Sequence, residues 1–75
     1  MADYSYYLVE HSFVVRFDKQ TALYEKYLEN GEWERYYDSW DVITNSRNIP
    51  TEAEAMEAAR HIFERDRQWK AEGRA

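Results

Sequence analysis

Tyr24-Glu25-Lys26-Tyr27-Leu28-Glu29-Asn30-Gly31-Glu32-Trp33-Glu34-Arg35-Tyr36 is the stretch that decides the fold. Two runs of strand-forming residues meet at an Asn-Gly pair, the strongest short-range signal of a β-hairpin. Charge selects the register. A two-residue turn would set Glu29 against Glu32 and Lys26 against Arg35, like charge against like charge twice. A three-residue loop, Glu29-Asn30-Gly31, instead pairs Tyr27 with Trp33, Lys26 with Glu34, Glu25 with Arg35 and Tyr24 with Tyr36. Unlike charges and aromatic pairs across strands each contribute about 0.2–1 kcal/mol, so the three-residue loop is expected. Gly31 is then required for a left-handed backbone and not for any ligand.

Outward from this hairpin, residues 4–9 and 13–17 are dominated by β-branched and aromatic side chains, and Glu10-His11-Ser12 between them reads as a turn. Asp18-Lys19-Gln20-Thr21 interrupts before a third strand over 22–28. A fourth runs from Glu32 to about Tyr37, with an irregular continuation through 40–43, and the polar stretch 44–48 reads as a loop. In Ile49-Pro50-Thr51-Glu52-Ala53-Glu54, Thr51 and Glu54 stand at capping-box spacing, which announces a helix over 51–70. Ala55, Met56, Ala58, Ala59, Ile62 and Phe63 form its apolar stripe, Asp66 interrupts that stripe, and docking should end near Arg65. Gly73 is the expected terminator.

The expected architecture is a single α+β domain: a four-stranded antiparallel β-meander over residues 3–44 with one C-terminal α-helix on one face. Phe13, Val15 and Phe17, continued by Ala22, Tyr24, Leu28 and Tyr36, mark the side beneath the helix. Arg16, Leu23, Glu25, Tyr27, Trp33, Arg35 and Tyr37 then fall on the other side. A one-residue slip in the second turn would exchange these faces in the third and fourth strands.

Composition narrows the function classes. Seventy-five residues make a core too small to spare many large side chains, yet there are 13 aromatics (Tyr 7, Trp 3, Phe 3), more than one core face needs. Without cysteine there is no disulfide framework and no zinc-thiolate site. No apolar run approaches a membrane span, and Met1-Ala2-Asp3-Tyr4 lacks the basic and apolar segments of a signal peptide, so a cytoplasmic protein is expected. The net charge of −5 is uneven. Up to Thr44 nine acids face four bases, and from Asn45 onward six face six. The N-terminal part therefore opposes a phosphate backbone and suits a basic or neutral protein surface.

The sequence offers little for catalysis, and no enzyme activity or cofactor is expected. His11 falls in a turn, and His61 forms with Glu57 an i,i+4 pair that lacks a third ligand. Ser5, Ser12, Ser39 and Ser46 have no nucleophile-elbow context, and two glycines make no phosphate-cradling loop. Glu32 and Glu34 lack a desolvating pocket. Arg65, Arg67, Lys70 and Arg74 form a basic helix end that suits the helix dipole and is also able to touch a phosphate. In length and lack of motif the chain resembles small bacterial and phage proteins in general.

The reading that remains is a non-catalytic interaction module with a protein partner. Its expected contact surface is an aromatic sheet face turned away from the helix, with Tyr27, Trp33 and Tyr37 as anchors and Arg16 and Arg35 as polar orienters. Homodimerisation through that face is a natural way to cover it. The competing reading is an acidic mimic of nucleic acid that occupies a DNA- or RNA-binding protein, with Glu25, Glu29, Glu32, Glu34, Asp38 and Asp41 standing in for phosphates.

Overall fold

The computed structural model describes residues 3–73, so Met1, Ala2, Arg74 and Ala75 lie outside the described residues. Strands β1 (Tyr4–Val9), β2 (Phe13–Asp18), β3 (Leu23–Tyr27) and β4 (Trp33–Tyr36) form the expected antiparallel meander. Helix α1 (Ser39–Asn45), strand β5 (Ser46–Ile49) and helix α2 (Glu52–Ala71) follow. β5 pairs antiparallel with β1, which gives a five-stranded sheet in the order β4-β3-β2-β1-β5.

The central hairpin has the register that charge selects. Tyr27 faces Trp33, Lys26 faces Glu34, Glu25 faces Arg35 and Tyr24 faces Tyr36. Leu28 N–H donates to the Glu32 carbonyl at 2.8 Å, and Gly31 takes φ +89°. The other two turns use left-handed residues without glycine: Glu10 (φ +50°) and His11 (φ +59°) after β1, and Ala22 (φ +61°) before β3. Ala22 therefore closes the turn, and the third strand begins at Leu23.

Two elements differ from the sequence reading, which has an irregular strand at 40–43 and a loop at 44–48. Residues 39–45 are helical because Asp38 caps the turn, its carboxylate accepting from Asp41 N–H at 3.1 Å, while Val42 is driven into the core at 2 % exposure. Residues 46–49 become a strand because β1 has a second edge to satisfy, with Tyr6 facing Ile49 and Val9 facing Ser46. The cap is local to α1, whereas the burial of Val42 against Val9 and Val15 and the open edge of β1 act from distant parts of the chain.

Helix α2 matches the expected stripe. Thr51 Oγ1 accepts from Glu54 N–H, Ala55, Ala59 and Ile62 are buried, and Met56, Ala58 and Phe63 lie against the same cluster. Gly73 follows at φ +77°, its N–H donating to the Lys70 carbonyl. The face it covers is the reverse of the one expected. α2 lies on Tyr6, Leu8, Val14 and Ile49, with Tyr27 and Trp33 alongside, whereas Val9, Val15, Phe13, Tyr24 and Tyr36 gather around Val42 of α1. Within the strands the partition of residues between faces holds, Ala22, Leu28 and Tyr37 fall outside the strands, and the helix lies on the opposite face from the one expected. Travelling from edge strand β4 to the opposite edge β5 means crossing the sheet, a span of about 19 Å for four strand spacings. α1 makes that crossing over the Val15 face, so α2 takes the other.

Candidate functional site

With α2 on the Val14 face, three of the five expected contact residues are engaged within the chain. The Trp33 ring sits 4.8 Å from Tyr27 and 6.4 Å from Tyr6, and Tyr27 lies 6.0 Å from Phe63 of α2. Arg16 is clamped, its guanidinium 4.1 Å from the Tyr4 ring and 4.2 Å from the Trp33 ring, with Nε donating to Glu25 Oε1 at 2.8 Å. These contacts hold the sheet and helix together. The expected helix-free patch of Tyr27, Trp33 and Tyr37 is thus divided, because two of its members lie beneath α2.

Arg35 and Tyr37 are exposed, the guanidinium 5.0 Å from the Tyr37 ring centre. Arg35 also shares a cleft of about 280 Å³ with Tyr4, Arg16, Asp18, Leu23 and Glu25, where the Val14 face extends past α2. Charges of both signs line it, the Arg16–Glu25 pair among them.

The opposite face is covered more thinly. α1 has seven residues and places one side chain, Val42, in the core. Its outward positions carry Trp40 at 73 % exposure and Ile43 at 67 %, with Tyr37 just before it at 79 %. The other large apolar side chains exposed among the described residues are Leu23 at 37 % and Trp69 at 43 %. Trp69 is partly occupied by the Arg65 guanidinium 5.0 Å from its ring centre. Trp40 and Ile43 escape the sequence reading, which takes them for an irregular strand. The available signal was Asp38-Ser39-Trp40-Asp41, an N-cap with an acid three residues on.

Between α1 and the sheet lies a cleft of about 330 Å³ lined by Tyr7, Tyr24, Val42, Ile43, Ser46 and Asn48. Its size falls at the small end of ligand-binding cavities, and every lining side chain is uncharged. The acids stand on the other flank of α1. Asp41 accepts from the Tyr36 hydroxyl at 3.1 Å and from Asn45 Nδ2 at 2.8 Å. Burial, the Asp41 hydrogen bond and the charges of Asp41, Asp38 and Glu10 push the Tyr36 hydroxyl up to about 12.

Elsewhere the titratable groups do structural work. Both histidines border one shallow cleft of about 260 Å³ with Leu8, Ala58, Ile62 and Arg65. His61 Nε2 is 3.0 Å from Glu57 Oε1, the i,i+4 contact read from the sequence, and Arg65 donates to the His11 carbonyl at 3.0 Å. Arg60 and His61 together hold Glu57 below its usual range, the Arg60 hydrogen bond being the largest cause. Among the described residues no three His, Cys, Asp or Glu side chains are placed to hold a metal ion, and no helix is long and apolar enough to cross a membrane.

Comparison with protein-family models, with curated proteins and with solved structures finds no match for this chain. The surface itself is therefore what bears on function: a small α+β domain with an exposed aromatic patch.

Proposed function

We propose that this domain is a non-catalytic protein-interaction module whose contact surface is the outer side of α1, with Trp40 and Ile43 as anchors, Tyr37 beside them and the Tyr7–Tyr24 cleft adjoining. One observation carries the reading: α1 is amphipathic in reverse, burying a valine while presenting a tryptophan and an isoleucine to water. Apolar surface of this kind is costly to keep wet and marks partner sites. Of the five contact residues expected from the sequence, Tyr37 belongs to this surface; Arg16, Tyr27 and Trp33 brace the α2 side, and Arg35 reaches Tyr37 from the sheet edge.

An external partner fits better than a second copy. A dimer through α1 would bring together two helices that each carry Asp38 at the cap and Asp41 in the first turn and no basic residue, which like-charge repulsion opposes. The nucleic-acid-mimic reading has less support, because its acids do not form a row. Glu25 is paired with Arg16 and Glu29 with Arg67, and strand alternation puts Glu25 and Glu34 on opposite faces.

Affinity capture from host extract with the parent and with the double variant Trp40→Ser/Ile43→Ser tests the reading. The expected result is a protein retained by the parent and lost with the variant, at unchanged thermal stability. Identical capture by both contradicts it. Sedimentation over a concentration series is expected to show a monomer in each case.

A further inference from the structure

Resting on that reading, we infer that the occupant of the α1 surface is a segment of another protein carrying both an apolar anchor and lysine or arginine side chains. The apolar requirement comes from the cleft beside Ile43, where two tyrosine rings, Val42 and Ile43 offer a socket without a formal charge. Apolar chemistry alone fits many partners, and the charge around the socket is what narrows them.

Ile43 and Asp41 project about 100° to either side of the buried Val42, so the socket and the acids occupy opposite flanks of α1. Glu10 approaches the same acidic flank from the β1–β2 turn, its N–H donating to the Asn45 carbonyl at the end of α1. Glu10, Asp38 and Asp41 enter no salt bridge among the described residues, as is true also of Asp18, Glu32, Glu34, Glu52 and Glu54, but these three alone lie beside the exposed face of α1. Two cations of the neighbouring strands are turned onto rings, Lys26 Nζ 4.7 Å from the Phe13 centre and Arg35 over Tyr37. Negative charge is left uncompensated along one side of an exposed aromatic surface. A partner that buried Trp40 and Ile43 while presenting carboxylates would meet repulsion, and one presenting Lys or Arg would gain steering and register. Socket and acids are separated by about the width of a helix, roughly 10 Å, so one short segment reaches both.

The test uses three synthetic helical peptides of one pattern: leucine/lysine, leucine/glutamate and serine/lysine, titrated into the isotopically labelled full chain by NMR. The leucine/lysine peptide is expected to shift the amides of residues 40–43 and the Tyr7 and Tyr24 signals. Its affinity should fall about tenfold or more on raising salt from low to molar strength. Trp40→Ser/Ile43→Ser should remove those shifts. Glu10→Gln/Asp38→Asn, which keeps an N-cap acceptor, should weaken the peptide about three- to tenfold while circular dichroism stays unchanged. Equal or tighter binding of the leucine/glutamate peptide overturns the charge assignment and leaves the contact surface standing. Equal binding of the serine/lysine peptide overturns the apolar anchor. If none of the three perturbs α1, both this inference and the contact surface itself are overturned.

Discussion

Trp33 and Trp40 stand seven residues apart and lead different lives. Trp33 is closed in by Tyr6, Tyr27 and the Arg16 guanidinium beside a 20-residue helix, whereas Trp40 rides outside a seven-residue helix that buries one valine. The same contrast holds for the two faces of the sheet. One is covered by Ala55, Ala59 and Ile62, small and branched side chains that let α2 lie close; the other is spanned by a crossover that covers its middle and leaves a cleft at its side. A chain of this size places its stabilising contacts unevenly, and the thinly covered face is where apolar side chains remain for a partner.

The largest expected effect sharpens that contrast in energy. Ile62→Ala should destabilise by about 2–5 kcal/mol, a large part of the stability of so small a domain. Val42→Ala should cost about 2 kcal/mol, the loss of two methyl groups plus a small cavity. Denaturant unfolding measures both. In the Val42 variant the loss should be local, with faster hydrogen exchange confined to α1 and β5. Equal global destabilisation by both substitutions would break the distinction between the faces.

Turn chemistry gives the next effects. Gly31→Ala should cost about 1 kcal/mol, since Gly31 sits at φ +89° and an added Cβ would meet only the Tyr27 hydroxyl oxygen, at an ordinary contact distance of 3.9 Å, so backbone strain makes up most of the loss. Ala22→Gly should gain up to about 1 kcal/mol by relieving the same strain at φ +61°. Both shifts are read from denaturant midpoints, and an unchanged midpoint in Ala22→Gly would mean that the unfolded-state entropy of glycine offsets the relief.

How far the sequence reveals these features depends on whether their cause is local. The central hairpin, Gly31, the Thr51 cap and the α2 stripe were legible because charge pairing, turn chemistry and helical period act within a few residues. β5 was not, because Ser46-Arg47-Asn48-Ile49 becomes a strand only through the second edge of β1, some 40 residues earlier. The covered face was not, because the alternation in β1 and β2 is apolar on both sides: Leu8 and Val14 on one, Val9 and Val15 on the other. The contact surface follows from both, so Trp40 and Ile43 became visible only once α1 was placed.

A smaller effect lies in the alkaline titration of the α1 side. Tyr36 is held up near 12, so the native state keeps its proton where the unfolded chain, near 10, gives it up. Its contribution is fully present below about pH 10 and is lost as pH rises toward 12. Tyr36→Phe should remove that part of the alkaline decline, and Asp41→Asn should bring one phenolate transition back toward 10 in ultraviolet absorbance. An unchanged absorbance titration in Asp41→Asn would show that Asp41 does not act on Tyr36.

The most direct test of the division between a bracing face and a contact face is equilibrium unfolding of Trp33→Ser and Trp40→Ser side by side. Trp33→Ser is expected to lose about 2–4 kcal/mol, as a large ring deleted from beside α2, and Trp40→Ser to stay within about 0.5 kcal/mol of the parent. A Trp40→Ser variant destabilised as much as Trp33→Ser would contradict that division, because Trp40 would then belong to the fold and be unavailable to a partner.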